Sequence, residues 1–155
     1  GWRDPGCRRG FAMTPEVISR KLARIQDDVR ALREAHDITW AVFQQDIRAR
    51  AFVERYLHLA IEEVLDVAQH LIAENKWREP VSYRDVFTVL AENNALPQED
   101  FSRFQDMASL RNLLVHAYEK VDLEVVFGIF KGRLDDFDRF DRHVRRRLHQ
   151  SGSKR

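Results

Sequence analysis

Three polar side chains that suit phosphodiester chemistry lie within one short stretch, residues 111–118, which reads Arg-Asn-Leu-Leu-Val-His-Ala-Tyr. A guanidinium such as that of Arg111 is a permanent cation whose donors match phosphate oxygens. A histidine such as His116 takes a proton from one oxygen near neutral pH and returns it to another. Together with Asn112 they form a candidate site for phosphodiester cleavage. An ordinary solvated helix face is the alternative, because short patterns of this kind also arise by chance.

The helix that must position these side chains is predicted from the apolar residues around them. These recur at the spacing i, i+3, i+4, i+7 of an amphipathic helix, at Leu110, Leu113, Leu114 and Ala117. At about 100° per residue, the three polar residues then fall on the arc opposite the apolar stripe. Arg111 and His116 are about 140° apart on such a helix, too far for their Cβ atoms to be neighbours. Either the helix ends or distorts near Val115, or a second copy of the motif completes the site across a two-fold axis.

The rest of the chain also shows helical periodicity, and no strand pattern interrupts it. Capping residues and prolines place the predicted helices at residues 14–35, 39–75 with a possible break near 44–46, a short segment after 82, 98–118, and a last helix beginning at 123. In the last helix Gly128 and Gly132 are four residues apart. We expect them to permit close packing against another helix, and a functional hinge is the less favoured alternative. The sequence therefore predicts an all-α, up-down bundle of four to five helices.

A row of metal-binding residue types lies on the long second helix, where Glu62, Asp66 and His70 are spaced by four. A catalytic metal site normally gathers ligands from several elements, and no H-x-x-x-H or E-x-x-H pattern accompanies this row. We therefore interpret the row as a solvated stripe and predict neither a metal nor a cofactor.

Length and composition predict one folded domain. The chain has 155 residues, and residues 13–148 carry the helical periodicity. Residues 1–12 have no periodicity and are expected to be disordered or a non-native extension, while residues 149–155 are expected to form a flexible basic tail. The net charge is only +1, so any surface that attracts nucleic acid must be local. The arginines after residue 141 are one candidate, but we favour a solvated helix end and frayed tail, because such basic tracts are frequent and unspecific.

Location is predicted from what the chain lacks. No apolar run approaches the roughly 20 residues that span a bilayer, and no charged-then-apolar signal peptide opens the chain. The single cysteine, Cys7, fits a reducing compartment because it has no internal partner for a disulfide. We expect a cytoplasmic protein that does not bind membranes.

The motif Arg-Asn-x3-His-Ala-Tyr resembles the R-x4-H-x-Y motif of the HepT-type HEPN proteins. These are small all-helical toxins paired with minimal nucleotidyltransferase antitoxins. Further segments resemble the same family in the same order, at residues 53–57, 60–72, 82–87 and 96–97. The resemblance covers roughly residues 14–141 and implies a HEPN-like bundle.

The resemblance also implies a function, that of a metal-independent endoribonuclease toxin in a type VII-like HEPN/MNT toxin–antitoxin pair. In this family two Arg-His motifs face one another in the cleft of a homodimer, and the ribose 2′-OH of RNA attacks the adjacent phosphate. Carried onto this chain, His116 is the general base or acid, Arg111 stabilises the developing charge, and Asn112 orients the phosphate or His116.

The same resemblance implies an off switch at Tyr118, the residue that the cognate nucleotidyltransferase would modify with AMP. One departure from the family concerns residue 117, which is Ala here and frequently Gly in relatives. The alternative function is a non-catalytic HEPN module that binds nucleotide or a nucleotidyltransferase partner. The intact motif favours the nuclease, whereas the near-neutral charge favours the binding module.

Overall fold

The computed structural model describes residues 14–116 and 122–153, and within these ranges the chain forms helices and no strand. A 3₁₀-helix, Gln98–Asp100, leads directly into the fifth of seven α-helices. The α-helices are α1 (Pro15–Glu34), α2 (Trp40–Gln45), α3 (Ile47–Glu74), α4 (Tyr83–Glu92), α5 (Phe101–His116), α6 (Leu123–Gly132) and α7 (Asp135–Ser153). The prediction of an all-α bundle is confirmed.

The long helix α3 is the centre of the bundle, because it contacts each of the other six α-helices of the described chain. Its partner α1 runs antiparallel to it, and the seam of Ile18, Leu22, Ile25, Val29 and Leu32 is at most 1% exposed. Thr14 caps α1 as expected, and its hydroxyl accepts from the Val17 amide at 3.3 Å. The alternation of four- and three-residue steps in α1 thus corresponds to a buried helix–helix seam.

The possible break that we predicted near residues 44–46 is present, and it separates α2 from α3. Asp46 is both the C-cap of α2 and the N-cap of α3, and its backbone is extended there. Its carboxylate accepts from the Arg48 amide at 2.9 Å, while the Arg50 side chain donates to the Phe43 carbonyl at 3.2 Å. Because both new helix ends find side-chain partners, the interruption leaves few backbone groups unsatisfied.

A second break divides the predicted last helix into two, so the prediction of one continuous helix after residue 123 is wrong. The helix α6 ends at Gly132, and α7 begins at Asp135 after the buried Leu134. Acidic residues in the first turn of α7 favour a new N-terminus there because they complement the helix dipole. The two breaks raise the number of α-helices above the predicted four or five.

The two glycines of α6 do not serve the close packing that was predicted. A Cβ built on Gly128 or Gly132 would meet no heavy atom of the described chain within 4 Å. Neither position therefore contacts another helix within the described residues of this chain, and the predicted packing is absent from its own bundle.

The last helix is longer than the sequence suggested. It continues through Ser153 and so includes residues that we predicted as the start of a flexible basic tail. The predicted extension at residues 1–12 lies outside the described residues. Among the helices that the structure describes, none is long and apolar enough to cross a membrane.

The start of α4 is fixed by a compact set of polar contacts. The Ser82 hydroxyl caps the helix by accepting from the Asp85 amide at 3.0 Å. Arg78 donates to both carboxylate oxygens of Asp85 at 2.8 Å, and this pairing holds the pKa of Asp85 below its ordinary value. These contacts define where Tyr83, the first residue of α4, is placed.

Candidate active site

The guanidinium of Arg111 lies where α5 meets α3 and α4. Its Nε donates to Oε1 of Glu62 on α3 at 2.8 Å, and its Cζ lies 4.2 Å from the ring centroid of Tyr83 on α4. The side chain is only 15% exposed. A carboxylate and an aromatic ring from two other helices therefore fix the position of this cation.

The prediction that Arg111 lies on the polar arc of α5, opposite its apolar stripe, is wrong. Phe104 and Ala108, which lie seven and three residues before it, are fully buried. The buried face of α5 is thus wider than the leucine stripe on which the prediction relied, and Arg111 continues its edge. Asn112, in contrast, is exposed. The buried Ala108 was the available signal, but a single alanine does not indicate which side of a helix is covered.

The Arg111 guanidinium uses only one of its nitrogens in hydrogen bonds to the described residues. Its two terminal nitrogens make no hydrogen bond to any residue that the structure describes, since only Nε is used by Glu62. Two parallel N–H donors on one edge match two oxygens of a phosphate. Arg111 is therefore a positioned cation, and the geometry of its terminal N–H groups suits an anionic ligand.

Glu62 joins a second titratable side chain to this site. Its Oε1 also lies 3.2 Å from Nε2 of His58, one turn earlier on α3. His58 is 31% exposed and Glu62 is 40% exposed. The sequence reasoning missed His58 and Tyr83 and placed Glu62 in a different role, because their proximity to Arg111 depends on contacts between distant parts of the chain.

The interpretation of Glu62, Asp66 and His70 as a solvated stripe holds in part, because Glu62 and Asp66 are 40% and 48% exposed whereas His70 is 11% exposed. Each of the three also has a protein partner. Glu62 pairs with Arg111, Asp66 with Lys21 at 3.2 Å, and His70 with Glu74 at 3.3 Å. Arg111 lies on α5 and Lys21 on α1, so the residues of this row contact different helices. Nowhere in residues 14–116 and 122–153 do three His, Cys, Asp or Glu side chains form a group that fits a metal ion.

His116 is the last residue of α5, and Tyr118 lies outside the described residues together with Ala117. Five positions separate Arg111 from His116, which corresponds to about 7.5 Å along the axis and about 140° around it. The roles of Arg111, Asn112, His116 and Tyr118 therefore remain predictions.

Comparison with known proteins identifies the family. The model of a family described as "Ribonuclease HepT-like" matches residues 25–144, which include the Arg-x4-His motif. The chain belongs to the HepT-like ribonuclease family. The resemblance that the motif suggested is confirmed.

Two curated HepT proteins are similar to this HepT-like chain over most of their length. The mRNA nuclease HepT of Shewanella oneidensis is 30% identical over 125 residues, covering 81% of this chain and 93% of the relative. The tRNA nuclease HepT of Aphanizomenon flos-aquae is 22% identical over 130 residues, covering 84% of this chain and 88% of the relative. The relatives thus carry the names of nucleases directed at two different classes of RNA.

Solved structures of similar proteins share this fold. The tri-AMPylated Shewanella oneidensis HEPN toxin in complex with its MNT antitoxin matches with a TM-score of 0.78 and 28% identity, over 85% of this chain and 98% of that one. YutE, a cytosolic protein of unknown function from Bacillus subtilis, matches with a TM-score of 0.76 and 19% identity, over 90% and 94% of the two chains. At that lower identity the likeness supports the fold alone.

Proposed function

We propose that this chain is an endoribonuclease toxin that cleaves RNA without a metal ion and acts as a homodimer. The observation that carries the proposal is the environment of Arg111. Within the motif of a ribonuclease family, Glu62 and Tyr83 hold its guanidinium while the terminal nitrogens remain free of described partners. A fixed guanidinium of this kind stabilises charge that develops on a phosphate without having to reorganise.

In the proposed reaction the ribose 2′-oxygen attacks the adjacent phosphorus and the bond from phosphorus to the 5′-oxygen breaks. His116 accepts the proton of the 2′-OH or supplies a proton to the departing 5′-oxygen, and a water molecule takes the other of these two roles. Arg111 stabilises the additional negative charge on the phosphorane, and the exposed Asn112 orients the phosphate or His116. The products are a 2′,3′-cyclic phosphate and a 5′-hydroxyl. DNA, which lacks the 2′-OH, is resistant.

Two copies of the chain complete the site in this proposal. Arg111 and His116 project about 140° apart on α5, so a phosphate that contacts Arg111 of one copy is better served by His116 of the other. A two-fold axis that passes between two α5 helices brings each motif opposite its equivalent.

The proposed partner is a cognate minimal nucleotidyltransferase antitoxin that transfers AMP to Tyr118. The support is the similar HEPN toxin, which was solved in a tri-AMPylated form with an MNT antitoxin. On this chain an AMP group at Tyr118, two residues after His116, would add bulk and negative charge near the substrate phosphate. Such a modification would exclude RNA by sterics and by repulsion.

Cleavage of a defined RNA with and without chelator tests the nuclease. We expect wild type to leave a 2′,3′-cyclic phosphate, R111A and H116A to lose at least about a hundredfold in rate, and chelator to have no effect. A DNA of the same sequence is the substrate control. Variants that cleave as fast as wild type, or cleavage that chelator abolishes, would contradict the proposed chemistry.

Intact-mass analysis after co-expression with the nucleotidyltransferase tests the switch. We expect AMP adducts on wild type, localised to Tyr118 by peptide mapping, and none at this position in Y118F. Loss of RNA cleavage should accompany the adduct. An unchanged mass, or an adduct elsewhere only, would refute the assignment of Tyr118.

A further inference from the structure

A second basic site lies at the opposite end of α5 from the motif. A cavity of about 320 Å³ opens between α7 and the loop that follows α4, a volume in the range of ligand sites. It is lined by residues 94–98 together with His143, Arg146, Arg147 and Gln150. None of these lining residues is acidic, and two are arginines. The cavity therefore has the charge of an anion site.

A buried carboxylate fixes His143 at the wall of this cavity. Asp100 is only 2% exposed; its Oδ2 lies 2.8 Å from Nε2 of His143, and its Oδ1 accepts from Arg139 at 3.0 Å. A carboxylate buried to this degree is costly unless it is paired. Because Arg139 and His143 both satisfy it, the imidazole is held in one orientation.

Arg147 is also held, whereas Arg146 is not. The Arg147 guanidinium lies 4.8 Å from the Trp77 ring centroid, and it donates to Oδ1 of Asn75 at 3.4 Å. Arg146 is exposed and makes no hydrogen bond or ion pair within the described part of the chain. The preceding Arg145, by comparison, is bound to Asp141 at 3.0 Å. The cavity thus combines an ordered arginine with one whose donors are available.

We infer that this cavity binds a backbone phosphate of the RNA substrate, at a distance from the bond that is cut. The inference rests on the proposed ribonuclease function. Arginine guanidinium groups match phosphate oxygens, and a chain of net charge +1 needs a local basic surface to hold RNA. From Phe101 to Arg111, α5 advances about 15 Å. A single RNA strand of several nucleotides can therefore contact both sites, as in proteins whose basic grooves follow the backbone of a strand.

Binding of a labelled single-stranded RNA, followed by fluorescence anisotropy, tests this site on full-length H116A chain so that the RNA stays intact. Adding R146A should weaken binding about fivefold and reduce the slope of log affinity against log salt by about 0.7, the value for one phosphate contact on a single strand. R146K should retain most of the affinity. R145A is the matched control, because it removes the same charge from a neighbouring residue that does not line the cavity, and its affinity should stay within twofold of the parent.

Steady-state cleavage by R146A on the otherwise wild-type chain adds a second readout. We expect KM to rise by a similar factor with kcat unchanged. If wild type cleaves no RNA, the proposed function fails while the anisotropy comparison still tests the cavity. Equal affinities of R146A and R145A for RNA would overturn the inference.

Two other occupants of the cavity would give different results in the binding experiment. If R146A weakened binding of free AMP but not of RNA, the cavity would be a nucleotide site and the inference would be wrong. If R146A weakened only binding of the nucleotidyltransferase, the cavity would be a contact for that partner, which equally overturns it. Circular-dichroism melting of each variant confirms that the fold is retained.

Discussion

At the scale of single residues, the site depends on one carboxylate that serves two basic side chains. Glu62 Oε1 accepts from Arg111 Nε at 2.8 Å and lies 3.2 Å from His58 Nε2. A hydrogen bond between charged groups stabilises by more than a neutral one because both the charge and the geometry are complementary. Glu62 is therefore a positioning residue for Arg111, although it is remote from the motif in sequence.

The first prediction is that E62Q lowers kcat/KM for RNA cleavage about tenfold, which corresponds to roughly 1.4 kcal/mol of transition-state stabilisation. The amide retains the size of the side chain but loses the charge that holds Arg111. E63Q is the matched control, because Glu63 pairs instead with Lys21 at 3.3 Å, and its activity should stay within about twofold of wild type. In the R111A background, E62Q should have no further effect. An E62Q protein as active as wild type would show that Glu62 does not position Arg111.

The second prediction concerns Asp28 on α1, where burial, together with the charges of Glu63 and Asp27, raises the pKa to about 6 from an ordinary value of 3.8. Arg55 opposes this shift. The folded chain binds this proton more tightly than the unfolded chain, so stability falls as the pH rises from about 4 and the penalty is complete above pH 6. D28N removes the ionisation and should stabilise the protein at pH 8 by roughly 1 kcal/mol, a value reduced for solvent screening.

Urea denaturation of wild type and D28N at several pH values measures this effect. The difference in unfolding free energy should shrink as the pH falls from 8 towards 4. D37N is the control, because Asp37 is exposed and is not among the charges that raise the pKa of Asp28; its effect on stability should be small at every pH. A gain for D28N that does not depend on pH would contradict the assignment.

At the scale of elements, the sequence located several helix starts at which a side chain caps the backbone, but it missed the break between α6 and α7. Thr14, Asp46, Ser82 and Asp122 each accept from a backbone amide at the start of a helix. The break between α6 and α7 was missed because apolar spacing continues across it, with Phe130, Leu134 and Phe137 all buried. Periodicity alone therefore does not distinguish one helix from two that bury the same side.

The third prediction is that G128A stabilises the protein by about 0.5 to 1 kcal/mol, because alanine loses less conformational entropy than glycine in a helix interior. The added methyl group meets no heavy atom of the described residues within 4 Å. Urea denaturation measures the change, and G132A is a useful comparison, since Gly132 is the last residue of α6 and its gain should be smaller. Destabilisation by G128A would show that this face of α6 is covered in solution.

At the scale of the whole molecule, the core was far more predictable from sequence than the site. The buried seam of α1 and the buried face of α3 follow from apolar spacing, which one helix carries by itself. The contact between Glu62 and Arg111 joins residues 49 positions apart, and no local pattern encodes it. Arg111 itself was found because the motif marks it, but its neighbours depend on how three helices pack.

The fourth prediction tests whether the whole active unit is the dimer. If Arg111 of one copy acts with His116 of the other, a heterodimer of R111A and H116A contains one site with both residues intact and one site that lacks both. Purified through two different affinity tags, this heterodimer should recover about half of the wild-type rate of RNA cleavage, while each variant homodimer stays inactive. Light scattering during gel filtration confirms that the measured species is a dimer. If each site instead takes both residues from one chain, neither chain of the heterodimer has both Arg111 and His116. The purified heterodimer should then be as inactive as the two variant homodimers.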